Sequence, residues 1–390
     1  MWHTKKLNEV CDIQSGLWKG KKGPYTTALV LRNTNFTASG VFDYSNVVEL
    51  EVEAKQLANR EVIKNDIILE KSGGGDKTPV GRVCIHDKES KIPFSLSNFT
   101  ARIRVLDSKE LNAEFLHKFL YFLYISGKTE PMQRHSTGIR NLQLNQYKDI
   151  DVPLPPLQEQ ERIVAKLDAA FDEINESIKN INLKVSKLDK FKSAIISDSY
   201  RGNGWDYEKL GDCVSYEKNN AKGSSLPYVG MQNIAPETMD LVGEIVIPEK
   251  TSSTFHFNKS HVLFGRLRPY LRKVLLPDFE GQCSTEIFCI KPKDKVIREF
   301  LAYWLLEQKI SSKIEATSTG ARMPRANMNA LLEFDFPIPS TKEQKKIISK
   351  IDLIFTRISE AKNTLAKSKK NYFALKSAIL SQELQSSEAA

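Results

Sequence analysis

The sequence of 390 residues has no long uninterrupted apolar run and few cysteines. No stretch approaches the roughly eighteen apolar residues of a membrane span, and the first residues lack the apolar run of a signal peptide. The expected location is therefore cytoplasmic, without membrane contact. Five cysteines form no C-x-x-C pair, which argues against a disulfide framework and a zinc ribbon. We expect these thiols to be reduced and buried.

Common enzyme motifs are also missing. The sequence contains no phosphate-binding loop, dinucleotide-binding glycine motif, zinc-protease motif or nucleophile elbow. The glycine-rich stretch Gly73–Thr78 has Asp76 before its lysine and lacks the leading glycine spacing of a phosphate loop, so a turn is the simpler interpretation. The Asn/Asp-Pro-Pro-aromatic tetrad of amino-methyltransferases is absent too. We predict no catalytic residue and no cofactor in this chain.

Two weaker alternatives involve scattered polar residues. A metal site could draw on four residues whose spacing matches no standard site, so we predict no metal: His256, His261, Cys283 and Cys289. A nuclease-like pattern has two members at the end of an amphipathic helix, which makes it weak: Asp278, Glu307 and Lys309.

One segment of the chain occurs twice. Residues 153–174 (PLPPLQEQERIVAKLDAAFDEI) recur as residues 337–358 (PIPSTKEQKKIISKIDLIFTRI), and residues 192–197 recur as 376–381, always 184 positions apart. In both copies apolar residues follow steps of three and four, which is the heptad seam of a coiled coil. The predicted seam comprises Leu167, Ile174, Ile181, Leu188, Ile195, Ile351, Ile358, Leu365, Tyr372 and Ile379.

Helix-start signals mark both copies. Pro156 suits a first-turn position, and Ser340 followed by Glu343 predicts a capping box. Gly202 and Gly204 predict the end of the first helix. Each helix would be roughly 60 Å long at 1.5 Å per residue, which indicates a spacer. Two ordinary amphipathic helices, each packed on its own domain, are the alternative.

The repeat divides the chain into four parts. Residues 1–152 and 204–336 are predicted to form two α/β (α+β) globular domains, and residues 153–203 and 337–390 to carry the long helices. Alternating or β-branched runs predict strands, and helical spacing predicts one amphipathic helix in each domain. The predicted strands are 28–32, 66–71, 80–85, 99–105, 228–234, 241–247, 261–264, 272–276 and 286–291, and the predicted helices are 111–126 and 296–308.

The net charge of +9 is unevenly distributed. Residues 341–384 carry ten basic and four acidic side chains, whereas residues 157–200 carry seven and eight. A lysine-rich helix is often merely solvated, so basic clusters in the globular parts are better evidence for nucleic-acid binding. The excess on the second helix could face DNA, a partner or water.

Polar and basic residues cluster in the loops of both domains. In the turn Gly265–Lys273, four cations surround Tyr270. Arginines in such a turn can bind guanine or phosphates, and Asn or Gln amides suit adenine, although a solvated turn is the alternative. The predicted DNA-binding residues are Lys21, Lys22, Arg32, Asn33, Lys71, Ser72, Lys77, Thr78, Arg134, Arg140, Gln232, Asn233, Arg266, Arg268, Tyr270, Arg272, Lys273, Arg322 and Arg325.

The motif pattern resembles the specificity (S) subunit of type I restriction-modification systems. Each half opens with Trp-x-x-x-Lys-Leu, at Trp2–Leu7 and Trp205–Leu210, and each long helix is entered through Pro-x-Pro and Glu-Gln. The run Arg268–Leu271 with Ser284–Glu286 is also typical of that family. The first domain lacks an Arg-Pro-Tyr run.

The resemblance implies a non-catalytic subunit with two target-recognition domains and an internal pseudo-twofold repeat. Each domain would bind one half of a bipartite site in double-stranded DNA through the major groove. The long helices would pair antiparallel, and topology agrees, since two equal helices bury both seams best by folding back. The implied partners are two modification (methyltransferase) subunits and two restriction subunits, to which S-adenosylmethionine, ATP and Mg²⁺ would belong.

A coiled-coil scaffold that joins two protein-binding domains is the competing hypothesis. It predicts little affinity for duplex DNA and no steep dependence of binding on salt concentration.

Overall fold

The computed structural model describes residues 2–17, 20, 22–37, 40–75, 78–136, 138–202, 204–221, 223–249, 253–320 and 322–385. Its contacts divide the chain into two compact units, Met1–Asn180 with Ser368–Ala390 (unit 1) and Ile181–Lys367 (unit 2). Each unit combines a mixed helix and sheet domain with one half of each long helix. Among the described residues, no helix has both the length and the apolar character that a membrane crossing requires.

Unit 1 contains twelve strands in its described residues. They are β1 (His3–Lys6), β2 (Cys11–Ser15), β3 (Tyr25–Leu31), β4 (Val48–Glu53), β5 (Ile67–Glu70), β6 (Ser72–Gly74), β7 (Val83–Ile85), β8 (Phe94–Leu96), β9 (Thr100–Val105), β10 (Gln133–Ser136), β11 (Ile139–Leu142) and β12 (Asp151–Leu154). Its helices are α1 (Leu7–Val10), α2 (Ala54–Arg60), α3 (Ala113–Ile125), α4 (Leu144–Lys148) and the first half of α5 (Leu157–Ser199).

Unit 2 follows the same plan, with nine strands in the part that the structure describes. They are β13 (Asp206–Lys209), β14 (Val214–Glu217), β15 (Tyr228–Val229), β16 (Thr254–Phe257), β17 (Val262–Gly265), β18 (Val274–Leu275), β19 (Gly281–Ser284), β20 (Ile287–Pro292) and β21 (Asp335–Ile338). Its helices are α6 (Leu210–Cys213), α7 (Arg298–Leu305), α8 (Gln308–Ala316), α9 (Met328–Leu332) and the first part of α10 (Thr341–Gln385).

The main sheets of the two units correspond strand by strand. Unit 1 has an antiparallel sheet of order β2-β9-β5-β7, and unit 2 has one of order β14-β20-β17-β18. A second sheet in each unit includes one parallel pair, β3 with β8 and β15 with β19. This common frame and the paired long helices confirm the predicted fold class.

Several predicted element boundaries are wrong. Residues 241–247 form no strand, apart from an isolated bridge between Leu241 and Ile234, and Ile247 is 59% exposed. Residues 241–247 make only scattered main-chain hydrogen bonds, such as Tyr228 N to Val246 O (3.0 Å), and no continuous ladder, so the alternation of apolar residues did not predict a strand correctly. The helix predicted at 296–308 ends earlier, at Leu305. A separate helix, α8, begins at Gln308 after its capping residue Glu307. Ser72–Gly74 is a strand, and the predicted turn lies after it, where Thr78 N donates to Gly75 O (3.1 Å).

The core of each unit lies between its main sheet and one helix. Asn112 caps α3 by accepting hydrogen bonds from the main-chain N–H groups of Glu114 and Phe115. Phe115, Leu116 and Leu120 of that helix are fully buried against the sheet. In unit 2 the corresponding helix α7 buries Phe300, Leu301 and Trp304. These aromatic and aliphatic side chains contribute to the buried apolar area that stabilises each domain.

A two-stranded ribbon leads into each long helix. β1 pairs with β12, and β13 pairs with β21, both antiparallel. Pro153 and Pro337 occupy equivalent places in these ribbons, where a strand with a free edge tolerates a residue that lacks an N–H donor. The ribbon thus joins the start of each domain to the start of its long helix.

A buried glutamine fixes each helix start to its domain. Gln160 accepts a hydrogen bond from Asn112 N (2.8 Å) and donates to the carbonyls of Glu110 (2.9 Å) and Pro155 (2.8 Å). Because Asn112 is the capping residue of α3, the bond connects the N-terminus of α3 to that of α5. The Gln160 side chain is completely buried, and all its polar groups have partners.

Gln344 repeats this arrangement in unit 2. It accepts from Ile297 N (2.9 Å), the capping residue of α7, and donates to the carbonyls of Lys295 (2.8 Å) and Pro339 (3.0 Å). It is also completely buried. The Glu-Gln pair of the repeat therefore has a structural role that the sequence pattern alone did not reveal.

The long helices pack antiparallel within each unit. In unit 1, Lys166 near the start of α5 binds Glu383 near the end of α10, with Nζ and Oε1 2.7 Å apart. In unit 2, Asp189 and Asp198 of α5 bind Lys362 and Lys350 of α10, so the order along one helix is reversed along the other. Of the predicted seam residues, Leu167, Ile174, Ile181, Ile351 and Ile358 are buried, and Leu188, Ile195, Leu365, Tyr372 and Ile379 are half-buried.

A lysine on each helix packs on a phenylalanine of the other. Lys376 lies 4.2 Å from the ring centroid of Phe171 in unit 1, and Lys192 lies 4.5 Å from that of Phe355 in unit 2. Both pairs are related by the 184-residue repeat. Burial lowers the pKa of Lys376 from 10.5 to about 8, with a smaller contribution from the nearby Lys118. Burial also lowers the pKa of Lys192, again with a lysine nearby, Lys362.

Replacing Gln160 by leucine is expected to destabilise unit 1 by about 3 kcal/mol, because three main-chain groups would lose buried partners. Gln158→Leu is the matched control, since Gln158 is exposed two positions earlier and its loss should change stability by less than about 0.5 kcal/mol. Hydrogen exchange in α3 under increasing urea measures the difference. Equal effects of the two substitutions would contradict the role of Gln160.

Lys376→Met is expected to change the dependence of stability on pH. Between pH 8 and 10.5 the unfolded chain retains a proton at this lysine that the folded chain has lost. The wild type should therefore gain stability relative to Lys376→Met as pH rises through that window. Urea unfolding at several pH values tests this, with exposed Lys370→Met as the control. A constant difference from pH 7 to 10.5 would refute the expectation.

Candidate nucleic-acid interface

The basic turn of unit 2 is built against a second loop. The turn follows β17, and Arg268 N donates to Pro324 O (2.8 Å) while Ala326 N donates to Arg266 O (2.9 Å). Leu267 also forms a bridge with Arg325. The structure thus brings together two groups of predicted contacts that lie about fifty residues apart in sequence, residues 266–273 and 322–325.

Backbone geometry directs the side chains of this turn. Arg268 and Arg272 both have left-handed conformations, with φ of 51° and 46°, and they flank a short 3-10 helix, Pro269–Leu271. Positive φ is uncommon for residues other than glycine and often marks a functional turn. The turn leaves Arg268 exposed and Tyr270 44% exposed. Arg322 is exposed on the facing loop.

Arg272, a predicted DNA contact, has internal partners in unit 2. Its side chain is buried, donates from Nη1 to Leu306 O (3.1 Å), and pairs through Nη2 with Glu237 (2.6 Å). These bonds hold the base of the turn against the domain. Burial of a guanidinium depends on carbonyl and carboxylate partners that lie more than thirty residues away, which no local pattern contains.

Two neighbouring cations also have internal partners. Lys273 donates to Met231 O (2.6 Å), and burial lowers its pKa. Arg325 Nε lies 3.1 and 3.2 Å from the two carboxylate oxygens of Glu286. Arg266 lies over the ring of Phe288, 6.0 Å from its centroid. These three side chains support the turn, so Arg268, Tyr270 and Arg322 remain its best-exposed predicted contacts.

Asn233, another predicted contact, also has internal partners. It is buried, accepts from Gly230 N (2.9 Å) and donates to Val242 O (3.3 Å), which stabilises a 3-10 turn. Asn35 has the same role in unit 1, where it accepts from Arg32 N (2.9 Å). In both units the asparagine lies three residues after the N–H group that it accepts from, and this spacing was the sequence signal for the role. Gln232 beside it is exposed and stays a predicted contact.

Unit 1 presents its predicted contacts on a small separate sheet of order β10-β11-β6. Arg134 and Asn141 face each other across β10 and β11, and Asn141 pairs with Ser72 of β6. Ser72 Oγ donates to Asn141 Oδ1 (2.5 Å). Arg134 is exposed and Arg140 is half-buried. The sheet therefore gathers contacts that are far apart in the chain.

Asn33 connects this sheet to the domain. Its Nδ2 donates to Ser72 O (2.5 Å), and Gly73 makes the approach possible, since a Cβ at Gly73 would lie 2.6 Å from Nδ2. Gly73 also has a φ of +106°, which L side chains rarely adopt.

Arg32 donates to Asn46 O (3.3 Å). Beside these residues lies a cavity of about 700 Å³ with an apolar floor and the half-exposed Phe99 at its side.

The remaining predicted contacts of unit 1 have mixed positions. Lys22 and Thr78 are exposed, and Thr78 Oγ1 accepts from Gly75 N (2.8 Å). Lys71 is half-buried, and burial lowers its pKa. Lys21 and Lys77 lie outside the described residues.

The cysteines and histidines of the metal-site alternative do not come together as a ligand set in the described part of the chain. All five cysteines are free and buried, as predicted, and the sulfur atoms of Cys283 and Cys289 lie 3.4 Å apart. His256 pairs with Glu280 and His261 with Glu217. Within the described part of the chain, no group of three or more His, Cys, Asp and Glu side chains is placed to hold a metal ion.

Comparisons with known proteins find one family. The family model described as "Type I restriction modification DNA specificity domain" matches residues 1–187 and 204–371. The chain is 22% identical over 306 residues to the type I restriction enzyme EcoDI specificity subunit of Escherichia coli, which covers 67% of this chain and 68% of that protein. It is 26% identical over 274 residues to a putative type I specificity subunit of Mycoplasma pneumoniae, with coverage of 67% and 69%.

Solved structures support the same fold. A chain from a study of complex assembly and conformational transition of the type I R-M system matches with a TM-score of 0.76 and 18% identity, over 98% of this chain and 97% of that one. The HsdS subunit of Thermoanaerobacter tengcongensis matches with a TM-score of 0.54 and 17% identity, over 98% and 96%.

Gly73→Ala is expected to destabilise unit 1 by roughly 2 kcal/mol, because alanine would strain the backbone and displace Asn33. Gly75→Ala is the control, since a Cβ there would make an ordinary contact with Thr78 Oγ1 at 3.6 Å. Urea unfolding and hydrogen exchange in β6 and β11 measure both. If Gly75→Ala costs as much as Gly73→Ala, the close approach of Asn33 is not the cause.

Proposed function

Because the chain belongs to the family of type I restriction-modification DNA specificity domains, we propose that it is a specificity subunit that recognises a bipartite site in double-stranded DNA. Each unit binds one half of the site through the major groove, and the long helices set the length of the unread gap. The observation that supports this proposal most is that the two units share the same main sheet but differ in the loops that carry the predicted contacts. Two similar scaffolds display different sets of cations, which suits two half-sites of different sequence.

The contact surfaces differ in chemistry as well as in position. Unit 2 uses a rigid turn with Arg268 and Tyr270, faced by Arg322, and a forked guanidinium there can bind guanine O6 and N7 or two phosphate oxygens. Unit 1 uses a small sheet with Arg134 and Arg140. Asparagine and glutamine amides nearby suit adenine, so the two units need not share a sequence preference.

The proposal assigns no reaction to this chain. Its partners are double-stranded DNA and the other subunits of a type I system, in a complex with two modification (methyltransferase) subunits and two restriction subunits. S-adenosylmethionine, ATP and Mg²⁺ belong to those subunits, which methylate an adenine in each half-site or cleave DNA. This chain supplies sequence recognition and the surfaces on which they assemble.

The competing scaffold hypothesis differs in its dependence on salt. A protein that neutralises several phosphates releases counterions, so its affinity falls linearly in the logarithm of salt concentration. A scaffold that binds only proteins shows weak duplex binding without that slope. Titration of the complex with duplex DNA at several salt concentrations distinguishes the two.

Two substitutions of Arg268 separate base contacts from phosphate contacts. Arg268→Ala is expected to weaken duplex binding and to reduce the salt slope by about one if the guanidinium binds phosphate. Arg268→Lys keeps the charge but loses the fork, so it should preserve the slope and relax sequence preference if the guanidinium binds a guanine. Fluorescence anisotropy with cognate and scrambled duplexes measures both quantities. If neither substitution changes affinity, slope or preference, the basic turn is not part of the interface.

A further inference from the structure

The outer faces of the long helices are chemically different in the two units, although the helices repeat in sequence. In unit 2, five exposed residues of α10 follow steps of four, four, three and four, which places them on one face of the helix. We call them the basic stripe: Lys342, Lys346, Lys350, Leu353 and Arg357. The equivalent residues of α5 in unit 1, each 184 positions earlier, are also exposed: Gln158, Arg162, Lys166, Ala169 and Glu173.

The cations of unit 1 are neutralised at this face. Glu383 is only 7% exposed in its side chain and lies 2.7 Å from Lys166 Nζ and 3.7 Å from Arg162 Nη2. Arg162 also pairs with Glu159. Glu173 adds a further carboxylate to the same face. The face of unit 1 therefore carries no net positive charge.

The corresponding position of unit 2 lacks that carboxylate. Glu383 has Ser199 as its counterpart 184 residues earlier, and Ser199 Oγ has no hydrogen-bond partner in the described structure. Lys350 reaches Asp198 only at 4.0 Å, and Lys346, with a side chain 78% exposed, lies 3.7 Å from Glu343. Such exposed pairs contribute little binding energy. Lys342 and Arg357 have no ion-pair partner among the described residues.

Leu353 lies among these cations and is 55% exposed, where unit 1 has Ala169. A leucine surrounded by exposed cations, of which two have only weak exposed ion pairs, fits a partner that has an apolar pocket with an acidic rim. Protein interfaces have this arrangement, with a buried apolar anchor inside a polar rim. A DNA backbone would bind the cations but offers no pocket for the leucine.

We propose that the basic stripe docks an acidic, pocketed surface of a modification subunit, and that unit 2 therefore binds this partner more tightly than unit 1. The inference rests on the proposed function, because it presumes that modification subunits assemble on this chain. It adds that the two docking surfaces are unequal, with Leu353 as the anchor of the stronger one and Glu383 as the group that weakens the other.

Titration of the purified modification subunit into the full-length chain tests the proposal, with calorimetry for the affinities and native mass spectrometry for the one-to-one and two-to-one complexes. The wild type is expected to bind two copies with affinities that differ roughly tenfold or more. Leu353→Ser should weaken the tighter step roughly tenfold, since hot-spot residues commonly carry that much binding energy. Ala169→Ser is the matched control and should change either step less than about twofold.

A second variant tests the charges. Replacing Lys346 and Lys350 together by glutamine should weaken the tighter step at low salt and reduce its salt dependence. Both lysines are exposed, so the variant should retain the thermal stability of the wild type. Duplex binding of the chain without partners, measured in parallel, should not change in Leu353→Ser.

The outcomes distinguish a failure of the unequal docking surfaces from a failure of DNA recognition. Equal affinities in the wild type, or equal effects of Leu353→Ser and Ala169→Ser, would overturn the unequal docking surfaces while leaving DNA recognition intact. A loss of duplex affinity in Leu353→Ser without partners would show that the stripe contacts DNA instead. If the wild type binds neither modification subunit nor duplex, the proposed function itself fails.

Discussion

The buried glutamine at the start of each long helix is the contact on which the rest of the structure depends. Gln160 and Gln344 each join the N-terminus of a long helix to the capping residue of the main domain helix. Such an amide tolerates little displacement, because two carbonyls and one N–H must all remain in hydrogen-bonding geometry at zero exposure. The direction in which each helix leaves its domain is thereby fixed. The antiparallel pairing and the lysine–phenylalanine contacts within each unit require that direction.

The frame of each unit is shared, and the differences are concentrated in the segments that connect it. The antiparallel sheets correspond strand by strand, whereas the β10-β11-β6 sheet of unit 1 and the left-handed turn of unit 2 are dissimilar. A rigid scaffold with variable connections is a common way to change specificity without loss of stability. The docking faces follow the same principle, since one glutamate in place of a serine changes the charge of the helix surface.

Much of this organisation could be predicted from the sequence. The heptad seam, the helix starts and the 184-residue repeat depend on local or strictly periodic patterns, and those identify long helices well. The errors have a different origin. Residues 241–247 alternate as a strand does but form only scattered main-chain hydrogen bonds, such as Tyr228 N to Val246 O (3.0 Å). The burial of Arg272 was not predicted either, because its partners lie more than thirty residues away. Gln160 is a different case. Its Glu-Gln motif is visible in the sequence, but its three main-chain partners are brought together only by the fold.

The central claim is that two independent recognition units share one repeated frame, and an exchange of recognition segments tests it most directly. Residues 204–336 would be replaced by the equivalent segment of another family member, the chimera produced with its modification subunits, and N6-methyladenine mapped across the genome of the host. The account predicts that one half-site changes while the other half-site and the length of the gap are preserved. A change in both half-sites, or in the gap, would contradict it.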